Sequence, residues 1–409
     1  MEFTDEWSEH KFENIFDIKN GLNKGKDYFG EGIRILNYMD VNKYELNTEN
    51  TIKGLVELTD DEIERYSVKP NDLFFTRTSE TSEEIGLTSA YMGNTIKCVF
   101  SGFLLRARPK IDLNSLFFAY YLRSPRQRNN IIKFSSITTR ALISGGNLSK
   151  MKIKYPSIEE QNKIANLFLI LDKKVELLEK KYREYQCFKK YLMQKLFAQE
   201  LRFADCTGEW NLFKLGDIVE LMRNGCSKNQ VSFETEFPVT RIETISKGIL
   251  NFDKVGYVEK IDSSYLLQYG DILLSNINSL KYIGNCVFFD EDKPLYHGMN
   301  LMLMRFKDDF NKKYLFYYMK FYQQWFQKMA CQAVNQASIN QSSLKKFPFY
   351  IPPTIDEQNK IVNVIDDTEH KINSIEDQII KMEEFKKGLL QQMFVVQLIL
   401  SLLQNKKHI

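Results

Sequence analysis

The residues with the clearest chemical potential form a basic run in the first half of the chain. From Phe100 to Arg140 there are eight basic residues and one acid, Asp112. Guanidinium groups pair with phosphate oxygens and with base edges, so such a run is typical of a nucleic-acid-binding surface. A solvated helix face would have a similar composition, and that alternative stays open. The basic residues are Arg106, Arg108, Lys110, Arg123, Arg126, Arg128, Lys133 and Arg140.

Polar loops occur at matching places in both halves of the chain, but their residues differ. Residues 135–140 read SSITTR, whereas their counterpart at 331–341 reads CQAVNQASINQ, and Asn and Gln can pair bidentately with adenine. Two shorter polar loops, 76–79 and 275–279, each follow an apolar run. We predict DNA contacts from Thr76, Arg77, Thr78, Ser79, Arg106, Arg123, Arg126, Arg128, Lys133, Thr138, Thr139, Arg140, Arg241, Ser275, Asn276, Asn278, Lys281, Asn335, Gln336 and Ser338.

The sequence lacks the motifs by which common catalytic sites are recognised. It has no phosphate-binding Gly-x-x-x-x-Gly-Lys-Ser/Thr loop, no dinucleotide Gly-x-Gly-x-x-Gly after a strand and no His-Glu-x-x-His. The Asn/Asp-Pro-Pro-aromatic motif of an amino-methyltransferase is absent as well. Asp72 and Asp271 recur in both halves, but each precedes an apolar run, where a role in a turn or cap is favoured over catalysis. We therefore predict a binding protein with neither catalytic residues nor a metal site.

Composition limits the classes of protein that remain. The chain has 409 residues, of which 43% are hydrophobic and 13% aromatic, which suits two or three folded domains. A net charge of +3 neither requires nor excludes a polyanionic partner, so local charge must decide. The six cysteines are scattered singly, so we expect reduced thiols and a cytoplasmic location. No apolar run reaches the roughly 18 residues that a membrane-spanning helix needs.

One long segment occurs twice in the chain. Residues 156–197 and 353–394 align without a gap at an offset of 197, and in both copies apolar residues alternate at steps of three and four. This is the a/d pattern of a coiled-coil seam, interrupted in both copies by a lysine, Lys189 or Lys386. Because a lone amphipathic helix needs a partner for its seam, we predict two long antiparallel helices forming an intramolecular coiled coil. Packing of each helix on its own globular domain is the alternative.

The remaining regions are also related, although more weakly. Each combines short β-type runs with an aromatic-rich helix, predicted over 116–132 and 313–330, which is typical of an α+β domain. The predicted fold class is α+β, with two pseudo-symmetric globular domains separated by the two long helices. The predicted boundaries are 1–155 for the first domain, 156–203 for the first helix, 204–352 for the second domain, and 353–409 for the second helix and tail.

These features resemble the specificity subunit of type I restriction–modification enzymes, over nearly the whole chain. The resemblance rests on the two helix starts at Pro156 and Pro353, PSIEEQNKI and PTIDEQNKI, and on the Phe-Lys-Lys near each helix end. It rests also on the opening of the second domain, Trp210…Leu-Gly-Asp-Ile218. The opening of the first domain departs from this pattern, because it lacks the glycine. The resemblance implies that each globular domain is a target recognition domain reading one half of a bipartite, asymmetric DNA site.

The resemblance also implies partners and cofactors. The long helices would act as a spacer and would dock two methyltransferase subunits, which restriction/translocase subunits would join. The chain itself would need no cofactor, because its partners would use S-adenosylmethionine, ATP and Mg²⁺. The expected location is the bacterial cytoplasm, in association with the nucleoid. The alternative is a coiled-coil scaffold that assembles other subunits without sequence-specific DNA contact.

Overall fold

The computed structural model describes residues 7–94, 97–137, 140–246, 248–332 and 337–405, with only the helical backbone described beyond Phe394. The chain divides into two compact units. Unit 1 comprises Met1–Lys180 and Glu376–Ile409, and unit 2 comprises Lys181–Ile375. Each unit combines a globular domain of strands and helices with parts of two long helices, which confirms the predicted α+β class.

Unit 1 contains a five-stranded sheet of order β2-β10-β6-β8-β4, two three-stranded sheets, β5-β3-β9 and β11-β12-β7, and the strand pair β1-β13. The elements of its globular domain are β1 (Ser8–Lys11), α1 (Phe12–Ile15), β2 (Phe16–Asn20), β3 (Phe29–Leu36), α2 (Tyr38–Lys43), β4 (Leu46–Asn47), β5 (Gly54–Val56), α3 (Asp60–Arg65), β6 (Asp72–Thr76), β7 (Thr78–Ser79), β8 (Thr88–Tyr91), β9 (Cys98–Phe100), β10 (Leu104–Pro109), α4 (Ser115–Arg123), α5 (Pro125–Lys133), β11 (Ser136–Ile137), β12 (Ala141–Leu142), α6 (Gly145–Ser149) and β13 (Lys152–Tyr155). The first long helix, α7 (Ile158–Phe197), follows.

Unit 2 repeats this plan with a four-stranded sheet of order β15-β21-β18-β20, a three-stranded sheet β19-β23-β22, and the pairs β14-β24 and β16-β17. Its elements are β14 (Asn211–Lys214), α8 (Leu215–Ile218), β15 (Val219–Asn224), β16 (Pro238–Val239), β17 (Gly256–Tyr257), β18 (Ile272–Leu274), β19 (Ile277–Asn278), β20 (Cys286–Phe288), β21 (Met302–Phe306), α9 (Lys312–Phe321), α10 (Gln323–Met329), β22 (Cys331–Gln332), β23 (Ala337–Ser338), α11 (Gln341–Leu344) and β24 (Pro348–Ile351). The second long helix, α12, spans Ile355–Asn405.

The recurring aspartates stabilise the central strands, as the turn interpretation predicted. Asp72 is fully buried, accepts from the backbone N–H of Lys69, and receives two hydrogen bonds of 2.7 Å from the guanidinium of Arg108. In unit 2, Asp271 receives two hydrogen bonds of 2.8 Å from Arg305. A bidentate arginine satisfies both carboxylate oxygens, so the charge can be buried without an unpaired acceptor.

The long helices pack antiparallel within each unit. In unit 1, Phe168 of α7 stacks with Phe394 of α12, with ring centroids 6.3 Å apart, and Asp172 pairs with Lys386. In unit 2, Lys189 of α7 pairs with Glu369 of α12. Every predicted seam residue is buried or half-buried, which confirms the seam. Within the described part of the chain, no helix has both the length and the apolar character to cross a bilayer.

The repeated Gln-Asn pair at the start of each long helix contacts the globular domain of its unit. Gln161 accepts from the backbone N–H of Asn114 at 3.0 Å and donates to the carbonyl of Pro156 at 2.8 Å. Asn114 in turn caps α4, because its side chain accepts from the N–H groups of Leu116 and Phe117. Gln358 accepts from Asn311 in the same way in unit 2, at 2.9 Å. The motif therefore fixes the long helix to the aromatic-rich helix.

The single aromatic-rich helix predicted in each domain was wrong in its extent. The structure has two short helices there, α4 and α5 in unit 1, and α9 and α10 in unit 2. Pro125 is the first residue of α5, where its missing N–H and its effect on Ser124 favour a break. The second pair is separated at Tyr322, whose backbone leaves the helical region.

Candidate nucleic-acid interface

Two polar loops of unit 1, which were predicted separately from the sequence, are connected by strand pairing in the structure. The loop after β6 continues into β7, and β7 pairs with β12, so that Thr78 faces Leu142 and Ser79 faces Ala141. Strand β12, which Arg140 directly precedes, pairs in turn with β11. A two-stranded ribbon of this kind fits the major groove of B-DNA. The small sheet β11-β12-β7, which we call the hairpin sheet of unit 1, is the candidate interface.

Unit 2 builds the same hairpin sheet from different side chains. Strand β19 pairs with β23, with Asn278 opposite Ala337 and Ile277 opposite Ser338, and β23 pairs with β22. Ser338 is exposed and Asn278 is half-buried, with its side-chain carbonyl accepting from the next N–H. The shared backbone with unlike side chains would allow the two sheets to select different base pairs.

Arg77 and Asn276 hold equivalent places beside the two hairpin sheets. The carbonyl of Arg77 accepts from the N–H of Ile143 at 3.0 Å, and that of Asn276 accepts from Ile339 at 2.9 Å. Each side chain also has a buried polar atom without a hydrogen-bond partner among the described residues, Nε in Arg77 and Oδ1 in Asn276. Because such an atom loses its water without replacement, it is a candidate for a ligand or an ordered water.

Arg77 also lines a polar recess of about 470 Å³ in unit 1. Lys110 and Asn20 line the same recess together with two carboxylates, Glu13 and Asp17. Lys110 donates to the carbonyl of Glu13 at 2.7 Å, so its charge is directed towards the backbone. The mixed charge of the walls gives no preference for a lone anion here.

The exposed predicted cations are Arg126, Lys133, Arg140, Arg241 and Lys281. The side chain of Arg140 is 69% exposed and lies 3.8 Å from Glu80, while Arg241 lies 3.5 Å from Glu243. Exposed pairs of this length are worth at most about 1 kcal/mol, so a phosphate can compete for either arginine. Lys281 lies over the ring of Tyr282, with 5.3 Å between its ammonium nitrogen and the ring centroid. These residues are accessible to a nucleic acid.

Three other predicted arginines, Arg106, Arg123 and Arg128, stabilise the fold of unit 1. Arg106 is 2% exposed and donates to the carbonyl of Ser67 at 2.6 Å. Arg123 donates to the carbonyls of Thr88 and Val41, at 2.8 and 2.5 Å. Burial lowers the pKa of all three guanidinium groups, to about 10 for Arg128. The basic run is therefore not one continuous surface, and we retain the DNA-contact prediction only for its exposed members.

Three predicted hydroxyl groups have partners within the fold. Thr76 is fully buried and donates to the carbonyl of Glu84 at 2.7 Å. Ser79 is buried beside Tyr38, and Ser275 accepts from the side-chain amide of Asn278 at 3.1 Å. These side chains position the loops rather than face outward. The same holds for Asn276, which is 4% exposed and donates to the carbonyl of Ile339 at 3.4 Å. The predicted contacts Thr138, Thr139, Asn335 and Gln336 lie outside the described residues.

One exposed residue beside this region carried no prediction, Phe103. It follows Gly102 in a turn, is 60% exposed, and its carbonyl accepts from the N–H of Arg77 at 2.8 Å. An aromatic side chain directly after Ser-Gly was the feature of the sequence that could have identified it.

The chain matches the family model of the type I restriction modification DNA specificity domain twice, over residues 4–184 and 207–384. It is 39% identical over 195 residues to a putative type I restriction enzyme MjaX specificity subunit from Methanocaldococcus jannaschii, an alignment that covers 46% of this chain and 45% of that protein. It is 22% identical over 334 residues to the type I restriction enzyme EcoKI specificity subunit of Escherichia coli K12, covering 77% of this chain and 71% of the relative.

Solved structures resemble the fold over almost the whole chain. The crystal structure of a type I restriction-modification system S subunit from M. genitalium has a TM-score of 0.57 at 15% identity, and covers 96% of this chain and 97% of that one. A chain from a study of complex assembly and conformational transition of the type I R-M system has a TM-score of 0.60 at 14% identity, and covers 96% and 99%. At these identities the likeness concerns the fold.

Proposed function

Because this chain belongs to the type I restriction–modification DNA specificity family, we propose that it is a specificity subunit in which each globular domain reads one half of a bipartite, asymmetric DNA site. The observation that carries this proposal is the pair of hairpin sheets. The two sheets share one backbone pairing, yet Arg77 and Thr78 stand in unit 1 where Asn276 and Ile277 stand in unit 2. Asn276 is buried, so direct contacts in unit 2 would come from exposed Ser338 and half-buried Asn278. Unlike side chains on the two sheets suit unlike half-sites.

The long helices would then serve as the spacer and as the dock for partner subunits. Each long helix is hydrogen-bonded through its Gln-Asn pair to the aromatic-rich helix of its unit. Each globular domain should therefore keep a fixed position relative to that end of the long helix. We propose that two methyltransferase subunits bind the helices and that restriction/translocase subunits join them. Removal of seven residues, about two turns, from each helix should change the preferred gap between the half-sites.

The chemistry would belong to the partners. We propose that this chain is non-catalytic and holds no cofactor of its own, while its partners use S-adenosylmethionine, ATP and Mg²⁺ for adenine methylation or DNA cleavage. The basis is that the polar side chains of the candidate interface are hydrogen-bond donors and acceptors suited to base edges and phosphates. We propose the bacterial cytoplasm, at the nucleoid, as the place of action.

Filter binding under rising salt tests the proposal against a scaffold without DNA specificity. The full chain, with its methyltransferase partner, is mixed with random duplexes, and bound molecules are selected, sequenced and measured again from 50 to 200 mM salt. Specific binding should outlast nonspecific binding, because base contacts add to the salt-sensitive phosphate term. Equal affinity for selected and random duplexes at every salt concentration would favour the scaffold.

A further inference from the structure

A recess of about 390 Å³ in unit 1, which we call the basic recess, is lined mainly by cations. None of its lining residues belongs to the hairpin sheet. Arg106 is 2% exposed and Arg108 is half-buried, whereas the two lining acids are exposed residues of α3. The inner wall of the recess is therefore positive, and the acids lie towards solvent. The cations are Lys19, Arg65, Arg106 and Arg108, and the acids are Asp61 and Glu64.

The two inner arginines have one counter-ion between them. Arg106 and Arg108 donate to the same carbonyl, that of Ser67, at 2.6 and 3.0 Å, so their guanidinium groups are neighbours. Both oxygens of Asp72 are bonded to Arg108. Among the described residues no carboxylate lies within 4 Å of the Arg106 guanidinium, and its Nε has no hydrogen-bond partner. Because a buried charge is costly without a counter-ion, this arrangement favours an anion from outside the chain.

Packing alone does not account for a charge at Arg106, because unit 2 has an apolar residue there. Leu303 of β21 and Arg106 of β10 both lie two residues before the arginine that pairs with the central aspartate. Leu303 is 1% exposed, so the same fold accepts leucine at this position. The nearby arginine of unit 2, Arg223, lies on the edge strand β15, is half-buried, and has its guanidinium carbon 4.0 Å from the ring centroid of Tyr265.

We propose that the basic recess binds a phosphate group, held by the guanidinium of Arg106 and the ammonium of Lys19. Lys19 of β2 is directly opposite Arg106 of β10 in the sheet, so both side chains are on one face. The pair of Lys19 with Asp17 is 4.0 Å long and open to solvent, which leaves the ammonium available to an anion. A guanidinium fork matches phosphate oxygens, and a tetrahedral anion accepts from donors on several sides.

The phosphate group can be free phosphate or a phosphodiester of DNA, and only the second source rests on the proposed function. A base edge is too large to reach a side chain as buried as Arg106, whereas a phosphate in the recess lies beside it. A DNA phosphate would therefore return Arg106 to the predicted DNA contacts, as the inner end of the recess rather than as part of the exposed surface.

Titration calorimetry with inorganic phosphate tests the site on the full chain, with chloride replaced so that the ionic strength stays constant. We expect Arg106→Leu, which carries the side chain of unit 2, to weaken phosphate binding about tenfold or more through loss of a charge-assisted contact. Lys19→Ala should weaken it about threefold, and its exposed position keeps the test valid if Arg106→Leu does not fold. Lys11→Ala is the matched control and should bind as the wild type does, because the Lys11 side chain is 57% exposed, as that of Lys19 is, and also has one carboxylate neighbour.

Filter binding to random duplexes distinguishes the two sources of phosphate. A DNA phosphate in the recess predicts that Lys19→Ala reduces the salt slope by about 1, whereas Lys11→Ala does not. Free phosphate predicts equal salt slopes, with the variants separated by calorimetry alone. Equal phosphate affinities together with equal salt slopes in wild type, Lys19→Ala and Lys11→Ala would overturn the inference. A wild type that binds phosphate in the recess but selects no DNA sequence would support the inference and refute the proposed function.

Discussion

The ammonium group of Lys386 lies 2.5 Å from Oδ1 of Asp172, and Tyr120 donates to Oδ2 of the same carboxylate at 2.5 Å. Unit 2 repeats this cluster, because Lys189 pairs with Glu369 and Tyr317 donates to Glu369 at 2.7 Å. Both lysines interrupt an otherwise apolar seam. Lys386 also lies 3.5 Å from Glu45, and Glu369 lies 3.6 Å from Lys320, so each cluster joins the two long helices to the globular domain of its unit. Because polar pairs in an apolar seam specify which residues of two helices face each other, we expect each cluster to set the helix register within its unit.

Replacement of Lys386 by alanine should destabilise unit 1. The Asp172 carboxylate would lose its cation while it remains partly buried, which we expect to cost roughly 1–3 kcal/mol. Urea unfolding of the full chain measures the loss. Lys387→Ala is the control, because that neighbour is exposed and its removal should stay within about 0.5 kcal/mol. An equal effect of the two substitutions would mean that the pair does not stabilise the helices.

Acid should weaken unit 2 through Glu369. Burial opposes ionisation of this carboxyl, but the charge of Lys320 and the hydrogen bond and charge of Lys189 outweigh it and lower its pKa from 4.5 to about 2. A carboxyl with a lowered pKa in the folded state contributes stability above its unfolded pKa, and this contribution is lost as the pH falls from about 4.5 towards 2. Urea unfolding across this range should give a shallower pH dependence in Glu369→Gln than in the wild type. Glu384→Gln, at an exposed site, should retain the wild-type slope.

Replacement of Arg123 should mainly lower stability, whereas replacement of Arg140 should mainly weaken DNA binding. Arg123→Ala removes the hydrogen bonds to Thr88 and Val41 and should lower the free energy of unfolding by about 2–4 kcal/mol. Arg140→Ala should change stability by less than about 0.5 kcal/mol, since its pair with Glu80 is exposed, but should weaken DNA binding and reduce the salt slope by about 1. Thermal unfolding and filter binding on the same samples separate the two roles. Loss of stability in Arg140→Ala would contradict its assignment to the surface.

Gln161→Ala should loosen α7 from the globular domain of unit 1. It leaves the N–H of Asn114 and the carbonyl of Pro156 without their side-chain partner, which should cost about 1–2 kcal/mol in urea unfolding. Lys163→Ala, on an exposed position of the same turn, is the control. If both variants unfold like the wild type, the Gln-Asn motif has a different role.

The seam was predictable from the sequence because its apolar period of three and four translates directly into burial. The roles of the arginines were not, because they depend on contacts between distant parts of the chain. Arg123 bonds to the carbonyl of Val41, which is 82 residues away, and composition alone cannot separate it from exposed Arg140. The hairpin sheets likewise arise from pairing of β7 with β12 and of β19 with β23, which local residue patterns do not encode.

Site selection with one-sided variants tests most directly whether the two domains read their half-sites independently. The full chain and its methyltransferase partner select from random duplexes, with wild type, Arg77→Ala and Ser338→Ala compared. We predict a bipartite, asymmetric site with an unread gap. Arg77→Ala should relax the preference in one half-site only, and Ser338→Ala, at an exposed position of unit 2, only in the other. A single contiguous site, or loss of preference in both half-sites from either substitution, would contradict independent reading.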